Sequence, residues 1–269
     1  MIIDFHTHIF PDKIAAHAVR VLEENLEKIQ GTPHHAAIPA TIDGLRGSMR
    51  SNHIDMSVVL PIATSVSQST SINRFAESIN GTDGIISFGS LHPMQEDWEE
   101  TLYDIKEKGL PGIKLHPEYQ HFYIDSPQAV RILKKCEELG LLVTLHTGND
   151  AGAPPPYHCM PDRLRRVLDI VSGENIIAAH LGGWAAWDDV EKYLVGTPIY
   201  FDTAYTIADI PREQLLRIFE NHGYDKILFA TDSPWEAQGD TVKYLSGLGI
   251  GEENLNKIFS ENAKKLLKL

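Results

Sequence analysis

Asp4-Phe5-His6-Thr7-His8 places two imidazoles one residue apart in an apolar, β-forming stretch. In a strand, residues i and i+2 project to the same side, so both rings can converge on one point. Imidazole nitrogen is a preferred ligand of zinc and similar divalent cations. A lone His-x-His is also met as a surface pair, so its weight depends on what the rest of the chain brings to it.

Further polar residues end apolar runs later in the sequence. Gly112-Ile113-Lys114-Leu115-His116 sets Lys114 and His116 on one face of a short strand, and the runs after it close on His146, His180 and Asp232. Each has a bland alternative. A strand-end histidine can be a hydrogen-bonded structural residue, Lys114 can pair with a neighbouring carboxylate, and Asp232 can cap the turn into a helix. The joint pattern, with five strands carrying such groups at the same end, argues for one shared site instead.

Apolar, β-branched runs alternate with amphipathic segments throughout. Strands are expected over residues 2–7, 56–62, 85–91, 112–115, 141–146, 176–180, 199–202 and 227–231. Helices are expected over 97–108, 127–139, 161–171, 187–193 and 211–221, with Pro127, Pro161 and Pro211 in first-turn positions. Eight strands alternating with helices predict a single (β/α)8 TIM-type barrel over residues 1–269. An open doubly wound sheet is the competing arrangement, but no Gly-x-Gly-x-x-Gly turn follows the first strand. Catalytic groups of such barrels come from the strand ends, where the polar residues above fall.

The connection after the first strand, residues 9–53, is long enough to hold helices over 12–29 and 41–52 around a Gly-Thr-Pro-His-His loop. Such an insertion is either a lid over the site or a plug of one barrel end. A proline-stiffened loop from Asn149 to Cys159 follows His146 and should overhang the site. Its Tyr157 and His158, with Trp184, Trp187 and Trp235, are candidates for an apolar pocket wall or for ordinary packing. Residues 252–269 carry apolar side chains at helical spacing, suited to an outer helix or a homo-oligomer contact, and receive no chemistry.

The formal net charge of −13 disfavours a nucleic-acid partner, which rewards lysine and arginine. No apolar run reaches the roughly 20 residues needed to cross a bilayer, and no leader pattern precedes the first strand. With only Cys136 and Cys159, a reducing, cytoplasmic setting is expected. A small-molecule substrate is the expected partner.

Taken in order, Asp4-Phe5-His6-Thr7-His8, Gly112-Ile113-Lys114-Leu115-His116-Pro117, His146-Thr147-Gly148, His180-Leu181-Gly182-Gly183, Ala230-Thr231-Asp232-Ser233-Pro234 and Glu261-Asn262-Ala263 resemble the metal-dependent amidohydrolase superfamily. The likeness is to its amidohydrolase-related branch, which includes hydrolases and non-oxidative decarboxylases of aromatic or unsaturated acids. The resemblance implies that His6, His8, His146 and Asp232 bind a divalent metal, zinc being favoured. His180 would complete a second metal site or handle protons, and Asp232 would act as the proton shuttle. Lys114 would match a strand-four lysine that is carbamylated and bridges two ions in binuclear members, with His116 as a further polar group beside it. One ion or two remains open. The reaction implied is hydrolysis of an ester, lactone or amide. Decarboxylation is the alternative, and a non-catalytic, metal-stabilised barrel the third reading. A nuclease of the same superfamily is disfavoured by the charge.

Overall fold

The computed structural model describes residues 1–269. Eight parallel strands alternate with helices: β1 (Ile3–Thr7), β2 (Met56–Val59), β3 (Ile85–Ser87), β4 (Gly112–Leu115), β5 (Leu142–Leu145), β6 (Ile176–Ala178), β7 (Tyr200–Asp202) and β8 (Ile227–Leu228). Regular pairing runs β1-β2-β3 and β4-β5-β6-β7-β8. Backbone hydrogen bonds continue across both gaps. Gly89 N donates to Gly112 O at 2.8 Å and Lys114 N to Gly89 O at 3.0 Å, joining the β3 end to β4. Phe5 N donates to Phe229 O and Asp232 N to His6 O, both at 2.9 Å, joining β8 to β1. The sheet therefore closes on itself as a TIM barrel.

Between the strands lie α1 (Asp12–Gln30) and α2 (Ile42–Ser51) in the first connection, then α3 (Ser69–Ile79), α4 (Trp98–Glu107), α5 (Pro127–Leu139), α6 (Pro161–Val167), α7 (Trp187–Tyr193), α8 (Arg212–His222) and α9 (Gln238–Ser246). Local chemistry sets their ends. Ser126 accepts from Ala129 N with Pro127 in the first turn of α5, and Gly140 at φ 69° closes that helix in the left-handed conformation. Helices α3 and α9 lie outside the sequence expectation. Ser69, Thr70, Ser71 and Asn73 are weak helix formers, and burial of Asn73, Ala76 and Ile79 holds α3 in place. Helix α6 ends four residues short of the expected 171, and α8 begins at Arg212, with Pro211 just outside it.

Side chains sort into two apolar layers. Ile3, Phe5, Val58, Leu60, Phe88, Leu142, Ile177, Tyr200 and Leu228 belong to the barrel interior, while Ile113, Leu115, Val143, Leu145, Phe201 and Phe229 pack in the larger layer outside. Strand alternation then aims Lys114 inwards with Gly112, His146 with Leu142, Asp202 with Tyr200, and Asp232 with Leu228 and Ala230. Strict alternation would turn His6 and His8 outwards, because Ile3 and Phe5 face in. The pairing of β1 with β2 slips between Asp4 and Thr7, with Asp4 opposite Ser57 and Thr7 opposite Val59. Three residues on β1 match two on β2, and this extra residue re-aims both histidines into the barrel mouth.

Strand β8 stops at Leu228 rather than the expected 231, because Phe229 N leaves the ladder and donates to Ile258 O at 2.9 Å. Ile258 lies in a π-helical turn, Lys257–Glu261, between α10 (Glu252–Asn256) and α11 (Asn262–Leu267). Asn262 Nδ2 donates to Tyr224 O and Ile227 O, both at 2.8 Å, so the closing Asn262 is structural. The segment packs Phe259 on Phe229 and places Ala263 in the interior cluster, which makes it an integral plug.

Asp4 carries the seam between first and last strands. Its buried carboxylate accepts from Thr231 Oγ1 at 2.6 Å, Gln238 Nε2 at 2.8 Å and Thr231 N at 3.1 Å. Asp4→Asn turns one acceptor into a donor facing these donors. Unfolding free energy should fall by about 1–3 kcal/mol, read as a lower urea midpoint at unchanged slope; an unchanged midpoint would deny Asp4 this part.

Candidate active site

Every polar strand-end residue singled out in the sequence lines one pocket: His6, His8, Lys114, His116, His146, His180 and Asp232 all face it. His6 Nε2 lies 3.1 Å from His8 Nε2, and Asp232 Oδ1 lies 3.4 Å from the former and 3.0 Å from the latter. Across the site, His180 Nε2 stands 3.0 Å from His146 Nδ1. Lys114 Nζ is 3.2 Å from His6 Nε2, with no carboxylate within ion-pairing reach, so the expectation of a simple Lys114 salt bridge is not met.

The second nitrogen of each ring decides what the first can do. His6 Nδ1 is 2.9 Å from Asp202 Oδ2, His8 Nδ1 2.8 Å from Leu60 O, and His180 Nδ1 2.9 Å from Ala204 O. All three partners are acceptors, so these nitrogens carry the proton and each Nε2 presents a lone pair. His146 is reversed: Nε2 faces Asn149 O at 3.0 Å, leaving Nδ1 unprotonated. Burial also drives the pKa of His6, His146 and His180 down, favouring neutral rings. Burial works to raise the Asp232 carboxyl, and positive charge at the positions of His6 and His8 holds it low, at about 2, a charge that a cation among these neutral rings would supply.

Four imidazole lone pairs and a carboxylate therefore converge, two nitrogens meeting two others at 3.0–3.1 Å with no proton between them. Acceptors so placed repel one another unless a cation lies among them; the Lys114 amine reaches only His6 Nε2, which leaves the pairing of His146 with His180 unrelieved. Ligand atoms about 2.0–2.1 Å from a tetrahedral ion sit roughly 3.3 Å apart, close to the 3.0–3.4 Å edges of the His6–His8–Asp232 triangle. The donor set fits a divalent metal. Buried Lys114 has its ammonium pKa pushed down to about 8 by burial, which leaves an appreciable neutral amine near neutrality.

Asp202 was not among the site residues read from the sequence. It ends β7 as an aspartate closing an apolar run, the signal used for the other strands. Its Oδ2 orients His6, while its Oδ1 accepts from His180 N at 2.9 Å and Ala204 N at 3.1 Å. Leu181 N also reaches Asp202 O at 2.7 Å. These bonds hold His180 and Leu181 at φ 60° and 54°, and Asp232 adopts φ 62°. Non-glycine residues visit this region rarely, and such strain concentrates at working sites.

Asp150 was likewise not foreseen. It lies in the loop after β5, with Oδ2 3.4 Å from His116 Nε2 and 3.3 Å from His146 Nε2. His116 thus sits behind His146, in a stack of Tyr119, His116 and His146 with centroid spacings of 4.0 and 4.1 Å. His116, His146 and Asp150 form a second group able to hold a cation.

Loops supply the walls. Gly148, at φ 87°, lets this loop meet the one after β6, since a Cβ there would lie 2.3 Å from Trp184 N. Trp184 and Trp235 line the pocket, whereas Trp187 packs in the core and donates to His180 O at 3.2 Å. Tyr157 and His158 also stay out of the lining, His158 being bound to buried Glu118. Helix α1 contributes Leu22 and Leu26, and the Gly-Thr-Pro-His-His loop contributes His34 and His35, so the insertion lies over the mouth as a lid. Only Ala15 of α1 is buried.

The amidohydrolase family profile matches residues 3–269. The chain belongs to this family. No curated protein sequence matches it. Among solved structures, an uncharacterised TIM-barrel protein from Bordetella bronchiseptica aligns at TM-score 0.76 and 17% identity, over 99% of this chain and 98% of its own. A protein from Pseudomonas putida described as a putative 2-pyrone-4,6-dicarboxylic acid hydrolase aligns at 0.68 and 15%, over 99% and 97%. A dihydroxybenzoic acid decarboxylase from Polaromonas sp. JS666, with bound manganese and 2-nitroresorcinol, aligns at 0.68 and 16%, over 100% and 97%. At such identities these likenesses establish the shared fold. No helix is long and apolar enough to cross a membrane, and Cys136 and Cys159 are buried and unpaired.

Asp202→Asn presents one amide donor where either His6 Nδ1–H or His180 N–H needs an acceptor. Zinc affinity, measured by competition with a chromogenic chelator, should fall about 10–100-fold with far-UV circular dichroism unchanged. Wild-type affinity in this variant would leave Asp202 a purely structural residue.

Proposed function

We propose that this amidohydrolase-family chain is a metal-dependent hydrolase that opens an ester, lactone or amide bond of a small molecule. The observation that carries the reading is the pair of facing lone-pair sets, His6–His8–Asp232 and His146–His180, with buried Lys114 beside them. His6, His8 and Asp232 would hold one divalent cation, with His146 and His180 available for a second. Zinc suits this nitrogen-rich set, and manganese in the related decarboxylase structure supports a divalent site more generally. A bound ion of this kind supplies Lewis acidity and brings the pKa of water down towards about 7.

The chain's own groups then divide the work. Asp232, ionised and at the pocket floor, takes the proton from attacking water on its carboxylate and returns it to the leaving group. Nε2 of His180, where it is not engaged by a metal, offers its lone pair to accept a hydrogen bond from the substrate. Lys114 holds its amine against His6 at the floor of the pocket, where addition of carbon dioxide to the neutral amine, with loss of a proton, would give a carbamate able to serve as an anionic metal ligand. Leu22 and Leu26 of the lid exclude bulk water from the floor. A non-catalytic metal site is disfavoured, because a closed structural centre leaves no cavity for substrate.

Decarboxylation of an aromatic acid is the second reading, favoured by the aromatic side chains Tyr119, Trp184, Tyr205 and Trp235 in the same lining. The net charge of −13 and a concave pocket with a single lysine and no arginine support a small molecule over a nucleic acid for either reaction.

Asp232→Asn should lower kcat for the best ester or lactone by about 10²–10⁴-fold, and any metal that remains bound would separate the proton role from the ligand role. Chelation should abolish turnover and lower Tm, with zinc restoring both. Release of carbon dioxide from aromatic acids, without hydrolysis of any ester, lactone or amide tested, would replace the hydrolase reading by the decarboxylase one.

A further inference from the structure

The size and charge pattern of the cavity narrow the substrate class, an inference that rests on the hydrolase reading for what happens at the polar end. Among the side chains lining the pocket, Lys114 is the only lysine or arginine, and it lies at the floor, 3.2 Å from His6 Nε2. The apolar part of the lining comes from Phe10, Leu22, Leu26, Ile62, Trp184 and Trp235, with the rings of Tyr119 and Tyr205 beside them. Two further groups at the rim are committed locally. His34 Nδ1 is 3.1 Å from Thr32 O, and His35 Nδ1 is 3.5 Å from the Glu23 carboxylate, which offsets any charge it carries. The indole N–H of Trp184 is bound by Asp209 at 3.0 Å and is not free for a ligand.

A carboxylate directed at this wall would lose water and find no permanent cation, a placement that proteins avoid. The inner part of the pocket holds about 130 Å³, on the scale of the roughly 150 Å³ engineered cavity that admits benzene, and opens to solvent past the lid. We infer that the substrate bears its polar reacting group at one end only and presents an uncharged, apolar body of about one-ring size to the wall formed by the lid and the two tryptophans. Dicarboxylates are thereby excluded, in contrast to the substrate named for the 2-pyrone-4,6-dicarboxylic acid hydrolase of the same fold.

The test compares benzoate with isophthalate, one ring with one or two carboxylates, binding to zinc-loaded protein by calorimetry. Wild type should prefer benzoate by about tenfold or more, the scale of one unpaired charge partly desolvated. Leu26→Arg adds a cation to the wall on an otherwise exposed helix and should narrow or reverse that preference, with the circular dichroism spectrum unchanged. Equal or tighter isophthalate binding by wild type, binding of neither acid, or an unaltered ratio in Leu26→Arg would each overturn the inference. Hydrolysis is assayed separately on phenyl acetate and a lactone panel. Loss of that activity claim with the binding order intact would sink the reaction assigned above and leave this inference standing, and the reverse result would do the opposite.

Discussion

Closure of the sheet between its first and last strands is the constraint from which the rest follows. His6 and His8 come from β1 and Asp232 from the end of β8, more than two hundred residues later, and only the closed seam makes them neighbours. Backbone bonds alone would join the edges, but Asp4 adds a buried carboxylate that binds both the main chain and the hydroxyl of Thr231 and also reaches α9 through Gln238. Burial pushes its carboxyl up and the surrounding donors pull it back towards the ionised form, leaving it at about 7. A buried acceptor with several donors aimed at it fixes register more strictly than apolar contact, which tolerates sliding. The same motif thus contains the suture, Asp4, and two of the groups whose positions depend on it.

Within that frame, the histidines obtain their chemistry from their outer nitrogens. Asp202, Leu60 O, Ala204 O and Asn149 O each take one ring proton and so turn the remaining lone pairs inwards. This is a paired design of acceptor outside and acceptor inside, and its electrostatics are unfavourable without a cation. The left-handed backbone at His180, Leu181 and Asp232 has the same logic. Regular strands cannot aim successive side chains at one point, so the chain leaves the ladder at the barrel mouth and Asp202 holds the distorted turn.

Much of this was legible in the sequence, and the limits have physical causes. Alternating apolar runs give the barrel, and polar residues at their ends give six interior groups and His116, because alternation and strand direction are local properties. The inward aim of His6 and His8 rests on a bulge that one strand's sequence does not reveal, since register belongs to a pair. Helices α3 and α9 escaped because weak helix formers are held there by burial of a few residues. Asp202 carried the strand-end signal and was passed over; Asp150 carried none, lying in a loop whose path depends on Gly148 meeting Trp184. The tryptophans divided two to one between pocket and core, a distinction set by loop geometry rather than residue type.

That division also explains why one metal-binding framework can serve unlike reactions. The lone-pair set is made by strand ends and the residues that orient them, all fixed by barrel closure. The walls come from α1, the loop after β5 and the side chains of Trp184 and Trp235, which hold none of the facing lone pairs. A change in Leu22, Leu26 or Trp235 alters what can lie over the floor without disturbing a donor atom there. Lys114 is the exception. It belongs to β4 yet touches His6, and its burial makes its charge the one variable of the floor itself. As an ammonium it would repel a cation beside His6, and as a neutral amine it would accept one, so on the proposed reading the charge state of this one side chain would set how much metal the floor holds.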